Sequence, residues 1–578
     1  MPMEMTRQID GLQRRPTFAE LFTPKTITVL REGYSLPALR ADLVAGLTVA
    51  IVALPLSMAI AIASGAAPQL GLITAIVGGF IISLLGGSRF QIGGPAAAFT
   101  VVVATTINNH GLEGMWLATM MAGVFLMLIG FLRLGTYIKF IPYPVTVGFI
   151  AGIAAILLAG QIHDLLGLTL AGREPPDLVP KIAALSAAIG TANPAAIGVA
   201  VLTVAIIVGL RRVRPGWPGI LVAVVVASVA AFVLHLPLAT IGSQFGGIPR
   251  SLPVPHLPPI SWDRIVTVLP DALTFTLLGA IESLLSAMVA DGMTGRRHRS
   301  NMELVAQGVA NIASGLFGGI PATGTVARTA TNVRSGARSP IAGMSHSVFL
   351  VLFMLIAAPL ASFIPLSALA GVLVVVAWNM IERHAIATLA RTSLGDTVVL
   401  LATLGLTLFR SLAEGIVVGF TLGVLLFIRR MSQTTAIEAH VPLVPEDVPD
   451  DEDKRPPYDS AVATDPDLAV YRISGAFFFG AAASVGQVLD SIADRHRAFV
   501  VDFSAVPFID STAANTIAGV VSKARKHGVA VFVSGASQAI VRTLQGHGVK
   551  TPTVSFAPSI DAAVVSARAE IARAAAAG

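Results

Sequence analysis

Residues 317–334 read FGGIPATGTVARTATNVR, and this stretch breaks the pattern of the long apolar runs on either side of it. It carries paired glycines at Gly318 and Gly319, a proline at Pro321, four threonines and an arginine at Arg328. Glycine and proline interrupt regular hydrogen bonding. At membrane depth the amides left over are tolerated only where protein or a watery cavity surrounds them. The stretch is therefore expected to be a pore or binding-site element rather than a lipid-facing helix.

The surrounding composition establishes the membrane. Hydrophobic residues make up 54% of the 578 and charged residues only 12%, which excludes an ordinary soluble enzyme. Residues 43–88 hold no Asp, Glu, Lys or Arg, and neither do residues 341–381. Each run can supply two spans of roughly 20 residues. The lack of cysteine excludes disulfides, thiolate metal sites and cysteine nucleophiles. No secretory signal precedes the first apolar run, which is expected to target the chain itself. The net charge of +6 gathers at helix ends and is not read as nucleic-acid affinity.

Apolar segments broken by Gly, Pro and charge number about fourteen. They begin near Leu43, Leu70, Gly94, Met115, Tyr143, Ala196, Gly219, Pro270, Met302, Ala322, Ile341, Leu366, Asp396 and Ala413. Basic clusters follow every second segment, from Arg89, through Arg211, Arg212 and Arg214, to Arg429 and Arg430. The positive-inside rule then puts both termini in the cytoplasm. The motif RFQIGGPAAAFTVVVATT, from Arg89, repeats the character of the opening stretch, with Pro95 answering Pro321. Seven segments per half is an odd number, so the second half must be inverted in the membrane, an arrangement common among secondary transporters. Each glycine-proline element is expected to lead into a half-helix starting near the bilayer centre, with the two N-termini facing each other.

These features divide the chain into a cytoplasmic segment (1–40), a transmembrane domain (41–432), an acidic, proline-containing linker (433–467) and a terminal domain (468–573). In the last, strands at LAVYRIS, AFVVDFS, VAVFVS and TVSF alternate with helical stretches, giving a small α/β domain.

The half-helix N-termini after Gly94–Pro95 and Pro321 offer free amides and positive dipole ends to one spot, and Arg328 adds a full charge. Such a site prefers an anion. Thr323 and Thr325 can donate hydroxyl hydrogen bonds to it. The alternative is a glycine-rich packing contact with Arg328 snorkelling to an interface. Glu282 is the one acid well inside its helix, and Gly279, Glu282 and Ser286 share a face. Glu282 is expected to face a cavity, a cation or Arg328: as a proton carrier, as a sodium ligand with Ser286, or in a structural salt bridge to Arg328. Pro55 is expected to break the first helix, leaving Ser57 as its main polar side chain. His110, His163, His235 and His256 read as solvated and lack metal-ligand spacing. Asp510 and Ser511, in FIDSTA, read as a helix cap, or as a phosphorylation site at a helix N-terminus.

Over residues 35–573 the chain resembles the SulP anion permeases, also called solute carrier family 26. The matching text is ALPLSMAIAIASG, GGSRFQIGGPAAAF, GAIESLLSAMVADGMTG, the run from Asn301 to Gln307, and FGGIPATGTVARTATNVRSGARSP. The terminal domain resembles a STAS domain through VVDFSAVPFIDSTA. The resemblance implies a polytopic α-helical membrane protein of seven-plus-seven inverted repeats, with core and gate domains, elevator-like movement, dimeric assembly and a location in the bacterial inner membrane. It places the anion among Ser57, Gly94, Pro95, Ala96, Ala97, Thr323, Gly324, Thr325 and Arg328. Ala96 and Leu56 depart from the threonine and glutamine of some relatives. Glu282 and Ser286 match a coupling-ion position, and a glutamate there is similar to relatives thought to be proton-coupled. Ser511 matches a phosphorylated serine of anti-sigma-factor antagonists. Members that move C4-dicarboxylates or sulfate look most similar.

The expectation is thus a secondary active importer of a small anion, driven by protons. Sodium-coupled bicarbonate transport, an anion channel and a STAS-based signalling protein are the alternatives. No enzyme activity, cofactor or nucleic-acid partner is expected.

Overall fold

The computed structural model describes residues 17–138, 142–170, 172, 174–175, 178–214, 217–434, 467–477 and 497–577. Residues 435–466 of the predicted linker, and the basic residues Arg7, Arg14 and Arg15, lie outside the described residues. The chain forms two units, one of residues 1–138, 150–381 and 405–414, the other of 139–149, 382–404 and 415–578.

The first half of the membrane region contains α1 (Leu36–Ala63), α2 (Pro68–Leu85), the short strand β1 (Gly93–Gly94), α3 (Thr100–Phe131), α4 (Tyr143–Leu166), α5 (Pro194–Val213) and α6 (Gly219–Val233). The second half contains α7 (Trp262–Thr294), α8 (Ser300–Leu316), β2 (Thr323–Gly324), α9 (Val326–Arg334), α10 (Ile341–Ala361), α11 (Leu366–Met380), the amphipathic α12 (Arg383–Thr392), α13 (Leu394–Phe409) and α14 (Leu412–Thr434). Helix α3 breaks at Gly111, whose φ of 70° and ψ of −177° are open to glycine. It therefore counts as a half-helix followed by a full segment. With α12 set aside, the helices named above give seven segments before Trp262 and seven from Trp262 to Thr434 among the described residues. Eight helices among the described residues are long and apolar enough to cross a membrane.

Two sequence expectations change. Pro55 lies inside an uninterrupted α1, where neighbouring helices can satisfy the backbone that proline frees. Helix α7 begins at Trp262, capped by Ser261, and carries Pro270 within it rather than at its start.

In the first unit, α3 packs on α7 and α8, α10 packs on α1, and α5, α6 and α11 pack together. Small residues set the spacing: a β-carbon at Gly123 of α3 would lie 2.6 Å from the Gly308 carbonyl of α8, the close approach that drives helix association without a hydrophobic effect. Asp42, fully buried in α1, accepts hydrogen bonds from the amides of Arg338 (2.6 Å) and Ser339 (3.1 Å), the Ser339 hydroxyl and the Tyr34 hydroxyl. One carboxylate thereby fastens the turn between α9 and α10 to α1.

In the second unit, β3 (Leu468–Ser474), β4 (Ala498–Ala505), β5 (Ala530–Ser534) and β6 (Ser555–Ala557) form a parallel sheet in that order. Alternation along β4 sends Phe499, Val501 and Phe503 into one core and Ala498 and Val500 into another. Helices α15 (Ser511–Lys526), α16 (Gln538–Gly546) and α17 (Ile560–Ala577) cover the sheet. Asp510 caps α15 by accepting from the Ala513 amide at 2.8 Å. Ser511 is buried and donates to Asp396 of α13 at 2.7 Å. Burial pushes the Asp502 carboxyl up, but hydrogen bonds from Ser504, Arg472 and Ser534 outweigh it and hold the group below its ordinary value.

Asp42→Ala strands the buried Ser339 amide and the part-buried Arg338 amide. Thermal unfolding in detergent should show a loss of about 3 kcal/mol or more, and an unchanged midpoint would refute the fastening role. For Asp502 the folded value is depressed, so its stabilisation is present above the unfolded carboxylate value near about 3.9 and is lost as pH falls through the folded value. Asp502→Asn should flatten the acid limb of the stability profile of the full chain below about pH 4, with little effect on how stability varies around neutrality.

Candidate anion-binding site

The two glycine-proline elements meet. β1 pairs antiparallel with β2, Gly93 opposite Gly324 and Gly94 opposite Thr323. This crossing is only two residues long on each side, and side chains complete it. Asn311 of α8 donates to the Ala322 carbonyl (2.8 Å) and accepts from the Ala322 amide (2.9 Å). Thr74 receives the Ile320 amide at 2.8 Å. Thr329 receives the Ile92 amide at 3.1 Å, and Asn332 donates to the Phe90 carbonyl at 2.9 Å. Gln91 donates to the Ser283 carbonyl at 3.1 Å.

Two helices open at the crossing. After Pro95 and Ala96, residues Ala97–Phe99 form a 3₁₀ turn that runs into α3, and Thr325 precedes α9. Neither start has a side-chain cap, and both are buried, with Ala96 2% and Thr325 8% exposed. A buried helix start without a cap directs unsatisfied amides and the positive end of its dipole at whatever lies before it.

Arg328, one turn into α9, is 1% exposed. Its Nη2 donates to the Ser57 hydroxyl (3.1 Å) and the Pro95 carbonyl (3.2 Å), while Nε and Nη1 have no partner among the described residues. Gly94, with a φ of 154°, makes room for it, because a β-carbon there would overlap Nη1. A β-carbon at Gly324 would likewise overlap Gln91 Nε2. Ser57, Gly94, Pro95 and Arg328 are therefore brought together.

The hydroxyls differ from expectation. Thr323 donates to the Gly279 carbonyl (3.2 Å), and Thr325 points at the Ile92 carbonyl (3.4 Å). A hydroxyl has one proton to donate, so both spend it on the backbone. Ser286 donates to the Thr329 hydroxyl at 3.0 Å, not towards Glu282. Glu282 has no ion pair with Arg328 among the described residues, and its Oε2 is buried without a hydrogen-bond partner. His110, expected to be solvated, lies 3.2 Å from Asp271, which also receives the Thr106 hydroxyl. His256 stacks edge-on against Trp116.

Sequence reasoning missed Asn311, Thr74 and Gln91. Thr74 opens a π-helical turn in α2, residues Thr74–Gly78, a feature often found at functional sites that leaves no mark in composition. Asn311 and Gln91 stand in apolar surroundings, and their polarity there was the available signal.

The profile of the Sulfate permease family matches residues 39–403, and that of the STAS domain matches residues 460–563. The chain belongs to the sulfate permease family. It is 40% identical over 509 residues to the Bacillus subtilis protein named "Putative sulfate transporter YvdB", covering 87% of this chain and 93% of that one. The transmembrane domain of a cyanobacterial bicarbonate transporter, BicA, superposes with a TM-score of 0.59 at 32% identity, covering 68% of this chain and 98% of that one. The murine solute carrier 26 family member A9 anion transporter, in an inward-facing state, gives 0.65 at 18% identity over 98% of each chain, a likeness of fold alone. The protein is accordingly an integral membrane anion transporter with a helical transmembrane region and a C-terminal STAS domain.

Gly94→Ala should displace the Arg328 guanidinium and lower anion affinity by about tenfold or more, the value of one hydrogen bond to a charged group. Calorimetry on purified protein checks this, and unchanged affinity would show that the Gly94–Arg328 contact has no part in binding.

Proposed function

We propose that this permease imports a small dianion, a C4-dicarboxylate or sulfate, together with protons, by an elevator-like movement of a core domain against a gate. The carrying observation is Arg328: a buried guanidinium with two donors unpartnered, beside two uncapped helix starts. That geometry suits a small oxyanion, whose several acceptor atoms can meet fixed amides and the guanidinium at once.

Energetics call for coupling. One charge crossing 100 mV is worth about 2.3 kcal/mol, so a dianion entering a negative interior costs roughly twice that. Glu282, an intramembrane carboxyl without a cationic partner among the described residues, supports a proton carrier, since a charge there is costly and a neutral acid is not. The turn of Ser286 towards Thr329 counts against a sodium site built from Glu282 and Ser286. The likeness to the bicarbonate transporter BicA supports bicarbonate as the substrate of a second reading, with sodium as the coupling ion. The charge pattern supports a bacterial inner-membrane location with both termini and the STAS domain cytoplasmic, and the family resemblance supports a homodimer.

Uptake into proteoliposomes of labelled succinate, sulfate and bicarbonate, with proton and sodium gradients imposed separately, tests the reading. Accumulation of a dianion driven by protons is expected. Accumulation of bicarbonate driven by sodium alone would overturn it. Glu282→Gln should lose concentrative uptake and retain exchange; full concentrative uptake in that variant removes Glu282 from coupling.

A further inference from the structure

Helix α7 carries six serine and threonine hydroxyls, and five of them donate within the helix. Thr267, Thr274, Thr276 and Thr294 each donate to the carbonyl four residues back, and Ser283 donates to the Ala280 carbonyl. This is an ordinary outlet for such a side chain in a helix. Ser286 is the exception. It is fully buried, and its hydroxyl crosses to Thr329 of α9 at 3.0 Å. The carbonyl it passes over, four residues back, belongs to Glu282.

The crossing bond ends at the anion site. Thr329 follows Arg328 in α9, and its oxygen also receives the amide of Ile92, two residues before Gly94, at 3.1 Å. Two further bonds hold the same stretch of α7 to the β1–β2 crossing, from Thr323 to the Gly279 carbonyl (3.2 Å) and from Gln91 to the Ser283 carbonyl (3.1 Å). Those two end on the helix backbone, whatever its side chains do. The Ser286–Thr329 bond depends on which way one hydroxyl turns.

Glu282 competes for that hydroxyl. It lies one turn before Ser286 on the same face, at the spacing that puts β-carbons about 5–6 Å apart. Its Oε2 is buried without a hydrogen-bond partner among the described residues. A neutral carboxyl and the Thr329 oxygen are comparable acceptors, whereas a hydrogen bond to an ionised carboxylate is roughly twice as strong. The other charges near α7 are engaged elsewhere or lie towards its ends. α7 packs on α3, α8, α9, β2 and the short helix Gly135–Ile138. From α3, His110 faces Asp271 and Glu113 pairs with Arg264, both in the first half of α7, where Asp263 is exposed. Asp291, near the other end, pairs with His298. From α8, Glu303 receives the Gly87 and Ser88 amides and Gln307. Arg334 of α9 and Tyr137 of the short helix are exposed, which leaves Arg328 as the buried charge across from this face.

We propose that Ser286 is a positioning residue that links Glu282 to the anion site. With Glu282 neutral, the Ser286 hydroxyl braces Thr329 and so α9 beside Arg328; with Glu282 ionised, it turns to the carboxylate and releases them. Only a hydroxyl rotates. The proton on Glu282 comes from the water phase and returns to it, and no covalent bond of the serine changes. Proton binding thereby raises anion affinity, and by reciprocity a bound anion raises proton affinity. The inference rests on the readings of Glu282 as proton carrier and Arg328 as anion site, and adds the bond through which one acts on the other.

Calorimetry of the full chain with sulfate, over about pH 4 to 9, the span that carboxyls cover in proteins, tests the link. Wild-type affinity should fall by about fivefold or more as pH rises. Ser286→Ala should bind weakly at every pH, and Glu282→Gln should bind well at every pH, both without the slope. A serine that only packs would weaken sulfate equally at all pH and keep the slope, a result that overturns the proposal. In buffers of different ionisation heat, wild-type protein should take up protons with sulfate and Ser286→Ala none; equal uptake in the two refutes the link. A slope that survives Glu282→Gln, or is missing from wild-type protein, fails the proton-carrier reading and the link with it. Wild-type protein that binds no sulfate, or Arg328→Ala protein that binds it unchanged, fails the anion-site reading and with it the link.

Discussion

An extended backbone buried in a membrane must find every hydrogen bond within the protein, and the rest of this transporter follows from how the β1–β2 crossing meets that demand. Two residues per strand pair with each other. The amides and carbonyls around them go to Asn311, Thr74, Thr329, Asn332 and Gln91, which come from four different helices or approaches. Each half of the chain supplies groups that only the other half satisfies. The Ile92 amide ends on Thr329, and the Ile320 amide on Thr74. The crossing can therefore form only when both halves are in place, and its geometry is fixed by packed helices rather than by a loop. Such rigidity places two helix starts and a guanidinium at one point.

Charge is the second consequence. A guanidinium at this depth costs about 2.5–3.5 kcal/mol on insertion scales, and a carboxylate a similar amount. A direct pair between Arg328 and Glu282 would lower both costs and leave a neutral site with no preference for an anion. Instead Arg328 is anchored through Nη2 alone to Ser57 and Pro95, with its other donors unspent, and Glu282 stands apart from it. On the proposed reading, this separation would put anion recognition and proton handling on different groups, Arg328 and Glu282.

The sequence made the outline of this arrangement legible because glycine and proline inside apolar runs have few explanations in a membrane. The fourteen segments and the meeting of Pro95 with Pro321 follow from that signal together with the charge pattern. The partners of individual hydroxyls did not follow. In the sequence Thr323, Thr325 and Ser286 read as facing a ligand, since a lone threonine or serine in an apolar stretch has no visible partner until the opposing backbone is placed. Pro55 reads as a break because its cost is local, yet helix α1 continues through it. The π-helical turn at Thr74 depends on tertiary packing and carries no local pattern at all.

The terminal domain shows how a surface-looking motif changes meaning on docking. Asp510 and Ser511 stand at a helix N-terminus, where either a cap or a modification site was open. Asp510 takes the capping role with its bond to the Ala513 amide. Ser511 is 3% exposed and gives its proton to Asp396, at the start of α13. A phosphate on that oxygen would lose the donor and place a dianion against a carboxylate, a repulsion that cannot be accommodated with the contact intact. Access to Ser511 thus requires α15 to leave α13 first. Any modification of Ser511 would therefore need α15 to part from α13 first, and the added charge would oppose their return.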